Sequence, residues 1–280
     1  MDFPDRYGKV KDIQDFCFKA QLVSYEQYRA LQEAFNHKMW EWYAGMLVWK
    51  NQNPWTALRG FFYDYYLDYT GGYFGYKHGA APVHIQLNLN DSVVCVLNQT
   101  ALKTKSLAAV SLLYDMHGNL ISENKNDVIL PAHSLKNLSK VELPAGTDQV
   151  FFLRLQISDE DKLVDENIYW LSNKPHSYEK LNELQKVKVI AEIKNTGEGK
   201  SIIKLSNPGN ETAFFIRLKV MNDNDELVLP VYFTDNYLTV LPGEEKEIML
   251  DLSTVKNSTA LNNLRLFIEG WNVPALEISL

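Results

Sequence analysis

The 280-residue sequence has a net charge of −7, with 46% hydrophobic and 22% charged residues, an ordinary balance for a globular chain long enough to fold as two or three domains. It contains no Lys/Arg block, which argues against nucleic acid and anionic membrane as partners. No apolar run approaches the roughly 20 residues that span a bilayer.

The opening Met1-Asp2-Phe3-Pro4-Asp5 is acidic and lacks the apolar core of a secretion signal. From about Asp12 to Trp42 the chain reads as helix. Ile13, Phe16, Cys17, Ala20 and Val23 fall on one apolar face, and Tyr28, Leu31, Phe35 and Met39 form a second stripe. Asp12 is placed to cap the helix N-terminus, Asp15 lies in the first turn, and Gly45 stands where a C-cap belongs. The length also fits two helices with a break near Ser24.

Met46 to Trp49 is apolar throughout, which predicts a strand buried on both faces. It runs into the polar stretch Lys50-Asn51-Gln52-Asn53-Pro54-Trp55. Ala57 to Leu67 is read as an aromatic helix and Tyr69 to Tyr76 as a glycine-punctuated loop. Helix, buried strand and helix make an αβα piece, and one strand cannot form a sheet by itself.

From Val83 the texture is β. Val83 to Leu89 alternates apolar and polar residues, and Ser92 to Leu97, Leu107 to Tyr114, Leu120 to Ser122, Val128 to Leu130, Val150 to Ile157 and Asn167 to Leu171 follow. After a connection over Lys174 to Gln185, a second set begins. It comprises Val187 to Ile193, Lys200 to Leu205, Ala213 to Val220, Val228 to Phe233, Glu244 to Leu252 and Asn263 to Gly270. Short strands with turn signals between them predict two β-sandwiches.

There is no Gly-rich phosphate loop, no Cys/His metal spacing and no Gly-x-Ser-x-Gly, so neither cofactor nor metal is expected. Cys17 and Cys95 read as buried free thiols, and His78 and His84 as satisfied or surface histidines. Aromatics make up 12% of the chain, a supply that serves core packing and also the flat platforms on which sugar rings stack. Glycosidases need two carboxyls flanking the scissile bond. Glu33, Glu41, Asp64 and Asp68 read as solvated helix faces, and no acidic residue occurs from Gly45 to Trp55. Trp49, Asn53 and Trp55 are the candidate substrate-binding residues: two platforms and an amide that needs partners when buried.

Ala20-Gln21-Leu22, Tyr25 to Ala30 and Glu33-Ala34 resemble the seventh barrel helix of family 2 glycoside hydrolases, in the branch of β-mannosidases and exo-β-glucosaminidases. Trp49 with Asn53-Pro54-Trp55 resembles the eighth strand and its loop. Tyr63 to Tyr66, Gly72 to Lys77 and Pro82 to Gln86 resemble the end of the barrel and the entry to the next domain. Asp235-Asn236-Tyr237 with Leu241 to Glu244 resembles the last immunoglobulin-like domain. Thr56 stands where the family has proline, and Lys50-Asn51 where it has apolar residues.

The resemblance implies a mainly β fold: two immunoglobulin-like β-sandwiches, 83–178 and 179–280, preceded over 1–82 by an α/β remnant of the end of a TIM barrel. It implies the C-terminal portion of a retaining exo-β-glycosidase without the catalytic carboxylates, inactive alone and unassigned to one sugar. The implied partners are carbohydrate, for the parent enzyme, and the rest of the barrel or another copy of the chain. A periplasmic or secreted location would suit such a parent. The alternative is a non-catalytic sandwich module that binds carbohydrate or protein, through exposed aromatics such as Trp170 or Trp271.

Overall fold

A computed structural model describes residues 3–56, 61–146, 148–255 and 263–280. After a short 3-10 helix, Phe3–Tyr7, comes α1, Ile13–His37, a single 25-residue helix. Its start is as expected, since the Asp12 side chain accepts from the Asp15 amide at 2.8 Å. Its end is not: the cap is Lys38, not Gly45, and Ser24 lies in unbroken helix.

The buried side of α1 also differs from the apolar stripes. Ile13, Cys17 and Leu31 are exposed, whereas Lys19, Arg29, Gln32, Glu33 and Asn36 are buried along with Leu22, Val23 and Tyr25. Polar side chains can be buried when partners meet them. The Lys19 ammonium, for instance, donates to the carbonyls of Gly8 and Lys9 and lies 2.9 Å from Asp15.

Met46 to Trp49 forms no strand and is not buried, and Leu47 is 99% exposed. No described strand pairs with this run, so its backbone joins no ladder. Residues 57–60 of the expected aromatic helix lie outside the described residues. Over 61–67 the chain makes turns and bridges instead of helix. The glycine-rich stretch after it is the reverse case, since Gly71–Gly79 forms a nine-residue helix, α2. A Cβ on Gly75 would stand 2.1 Å from the Tyr25 carbonyl oxygen, so only glycine allows α2 this close to α1.

The fold is mainly β, with two immunoglobulin-like sandwiches. The first comprises β1 (Val83–Asn88), β2 (Val93–Asn98), β3 (Leu107–Asp115), β4 (Leu120–Val128), β5 (Ser134–Lys140), β6 (Val150–Asp159) and β7 (Lys162–Ser172). Its sheets have the orders β1-β2-β5 and β4-β3-β6-β7, all pairs antiparallel. The core between them includes Ile85, Val96, Leu113, Leu153 and Leu155.

The second contains β8 (Ile190–Gly197), β9 (Lys200–Ser206), β10 (Ala213–Met221), β11 (Tyr232–Phe233), β12 (Leu238–Val240), β13 (Glu245–Asp251), β14 (Arg265–Glu269) and β15 (Leu276–Ser279). Its sheets run β12-β10-β14-β15 and β11-β13-β9-β8, around Ile203, Leu218, Val240, Leu250 and Leu266. By their contacts, residues 1–51 and 75–182 form one compact unit, and 52–74 with 183–280 form the other.

Candidate functional site

The three residues singled out as sugar-binding stand in irregular chain. Trp49 belongs to the first unit and is 88% exposed. Asn53 and Trp55 belong to the second, where Asn53 is 7% and Trp55 62% exposed. Neither tryptophan is core. Lys50, between them in sequence, has a positive φ of 68°.

Within the second unit the loop carrying Asn53 and Trp55 is tied down. Gln52 bridges in parallel to Tyr63, and Tyr63 bridges antiparallel to Tyr69. The Asp64 carboxylate accepts from the amides of Tyr66 at 2.8 Å and Asp68 at 3.0 Å. Asp68 in turn pairs with Arg217 of β10. Burial pushes the Asp68 carboxyl up, and the Arg217 charge opposes that shift. Asp64 and Asp68, read from sequence as solvated helical carboxylates, are a turn brace and an ion-pair partner.

In the first unit the polar residues of α1 meet the sandwich in a closed cluster. Glu33 Oε1 accepts from the Tyr169 hydroxyl at 2.6 Å and from the Asn167 amide at 3.0 Å. His84 is fully buried, with Nδ1 2.8 Å from Asp165 Oδ2 and Nε2 3.5 Å from Glu33 Oε1. Burial alone would lower its pKa. The hydrogen bonds and charges of Asp165 and Glu33 win and raise it to about 9, so His84 is an imidazolium at neutral pH. Glu33 Oε2 has no hydrogen-bond partner among the described residues. The Arg29 guanidinium donates to the Ile168 carbonyl at 2.6 Å and lies 4.0 Å from the centre of the Tyr169 ring. Gln86 donates to the Glu33 carbonyl at 2.9 Å, and Asn36 to the Gly79 carbonyl at 2.8 Å.

Sequence reasoning had Glu33 as a solvated carboxylate and His84 as a satisfied histidine. The first expectation is corrected, because a carboxylate that meets a tyrosine hydroxyl, an amide and an imidazolium can be buried. The pairing joins positions 33, 84, 165 and 169 and leaves no local signal. The cluster has the residue types of acid–base chemistry but is shut off from solvent, so it acts as a fastener of α1. A neighbouring buried pair does similar work: the Tyr7 hydroxyl donates to Glu26 and accepts from the Trp170 indole at 2.8 Å. Trp170 is therefore buried, not an exposed platform.

Cys95 is buried and its thiol is pushed up to about 12 by burial, so it is inert, while Cys17 is exposed instead of buried as expected. Among the described residues no group of three or more metal-ligating side chains is found.

The family described as the exo-beta-D-glucosaminidase Ig-fold domain matches residues 167–273. A mannosylglycoprotein endo-beta-mannosidase of Lilium longiflorum is 30% identical over 95% of the chain, which covers 34% of that protein. An exo-beta-D-glucosaminidase of Amycolatopsis orientalis is 29% identical over 95% of the chain, covering 29% of its length. The chain thus spans about a third of the length of these relatives. Among solved structures, the exo-chitosanase CsxA of Amycolatopsis orientalis superposes with a TM-score of 0.87 at 27% identity, over 99% of this chain and 36% of that one. A β-D-mannosidase from Dictyoglomus thermophilum shares the fold, with a TM-score of 0.75 at 18% identity over 97% of this chain and 31% of its own.

Proposed function

Since the chain is a C-terminal part of a family 2 glycoside hydrolase of the exo-β-glucosaminidase and β-mannosidase type, we propose that it completes a retaining, exo-acting β-glycosidase whose two catalytic carboxylates lie outside it. On this reading residues 1–82 are the end of the barrel, and 83–178 and 179–280 are the two sandwiches behind it. Trp49, Asn53 and Trp55 contribute to the sugar subsite, the tryptophans as platforms and the amide as a hydrogen-bonding partner for hydroxyls.

The observation that carries the reading is that the match runs in sequence and in structure through almost the whole chain, well beyond the sandwiches alone. The state of the carboxylates supports the lack of chemistry in this chain. Glu33, Glu26 and Asp68 are each engaged with a tyrosine, an imidazolium or an arginine. Incubation of the chain with nitrophenyl β-D-glucosaminide and nitrophenyl β-D-mannoside should release no nitrophenol. Measurable turnover would sink the proposal.

The partner on this reading is the rest of the barrel. Trp40, Trp42, Tyr43, Leu47 and Trp49 of the first unit are all exposed, an unusual concentration of large apolar side chains. A second copy of the chain is the competing occupant. Sedimentation of the chain alone against the chain mixed with the remaining part of the enzyme separates the two.

A further inference from the structure

We propose that Arg217, on β10 of the second sandwich, is a positioning residue for sugar binding: through Asp68 it fixes the loop that presents Asn53 and Trp55. The inference rests on the reading of Asn53 and Trp55 as subsite residues, and all its members belong to the second unit.

The connection is continuous. Arg217 holds Asp68 by an ion pair in which both side chains are about four-fifths shielded from solvent. Its guanidinium lies 5.8 Å from the centre of the Tyr237 ring, and the Tyr237 hydroxyl donates to the Tyr69 carbonyl at 3.4 Å. Two successive loop residues, Asp68 and Tyr69, are therefore gripped by one patch of the sandwich. From there the grip passes inward. Tyr69 bridges to Tyr63, their rings 5.1 Å apart, and Tyr63 bridges to Gln52, the neighbour of Asn53. The Asp64 amide donates to the Asp68 carbonyl at 3.0 Å and the Thr70 amide to the Phe62 carbonyl at 3.1 Å, so the loop is cross-linked within itself around Asp68.

Within the sandwich, Arg217 shares its nearest carboxylate with another cation. Glu269, opposite Arg217 on β14, is already paired with Lys219 at 2.6 Å. What Arg217 gains by its place on β10 is Asp68. A planar guanidinium fixes a carboxylate in direction as well as distance, which an ammonium does less well.

The test uses the full-length enzyme carrying this chain, with nitrophenyl β-D-glucosaminide and nitrophenyl β-D-mannoside as probes. Arg217→Met and the near-isosteric Asp68→Asn should each raise KM about tenfold and change kcat less than about twofold, as expected when a binding element loses its placement. Arg217→Lys should recover part of the loss. If Arg217→Met does not fold, Asp68→Asn carries the test, with amide hydrogen exchange over residues 61–70 as a second measurement. Exchange there should speed up while that of β10 and β14 stays unchanged. Unaltered KM in both Arg217→Met and Asp68→Asn, with Trp55→Ala still raising it, overturns the role of Arg217 and leaves the subsite reading standing. Unaltered KM in Asn53→Ala and Trp55→Ala removes the subsite reading itself, and the role of Arg217 with it.

Discussion

Tyr169 donates its hydroxyl hydrogen to Glu33 at 2.6 Å, joining β7 to α1 across 136 positions of sequence. The same hydroxyl oxygen accepts from the Leu87 amide of β1 at 3.0 Å. One phenol thereby satisfies a buried carboxylate and a buried backbone donor. Tyr169→Phe leaves both short of a partner and should destabilise the first unit by about 2–3 kcal/mol. Urea denaturation followed by far-ultraviolet circular dichroism measures it, and a loss below about half a kcal/mol would mean that water replaces the hydroxyl.

His84 makes the same junction sensitive to pH. It faces Glu33 from α1 and Asp165 and Asn167 from β7, with Arg29 close to Glu33. Its folded pKa, about 9, lies above the ordinary 6.5 of an unfolded chain. Its contribution is therefore fully present below about pH 6.5 and lost as pH rises through about 9, on the order of 3 kcal/mol in all. The denaturation midpoint should fall across that window in the native protein. His84→Gln should be less stable at pH 6 and should lose the slope. An equal slope in the variant would assign it to other groups.

Gly75→Ala tests the approach of α2 to α1. The added methyl meets the Tyr25 carbonyl oxygen at 2.1 Å and its carbon at 2.9 Å, both backbone atoms that cannot rotate away. The helix propensity gained is about 1 kcal/mol, and the overpacking should outweigh it by about 2 kcal/mol or more. A lower melting temperature is the expected result, and a higher one would show that the helices part without cost.

Trp49→Ala and Trp55→Ala should leave stability within about half a kcal/mol, because both rings are exposed. In the full-length enzyme each should weaken binding of the sugar by about 1 kcal/mol, roughly fivefold. Calorimetric titration with glucosamine or mannose on the inactive full-length enzyme reads this directly. Unchanged affinity in both variants would remove them from the subsite.

Much of the β part was legible in the sequence because alternation reports a half-buried face without knowledge of the partner. β1, β3, β6 and β10 lie close to where Val83, Leu107, Val150 and Ala213 open their runs. β5 is missed because Ser134–Lys140 is polar and half-exposed on an edge. α1 was legible as a helix but not as a surface. Its buried side holds Lys19, Arg29, Glu33 and Asn36, whose partners stand at Gly8, Ile168, His84 and Gly79. Hydrophobic periodicity carries no record of partners so far along the chain. Met46 to Trp49 failed in the opposite direction. Its composition suits a buried strand, yet burial requires neighbours, and no described strand supplies them. Of the candidate site, the residue types at 49, 53 and 55 could be read, but the grip of Arg217 on Asp68 spans 149 positions and could not.

That last span has a consequence for the order of events on the ribosome. Residues 52–74 leave the exit tunnel before any of the first sandwich, yet their unit is completed only by residues 183–280. For the time it takes to translate more than a hundred residues, about ten seconds at typical rates, Asp68 has no Arg217 to meet. The aromatic loop with its tyrosines is then a nascent segment whose anchor on the second sandwich has yet to be synthesised.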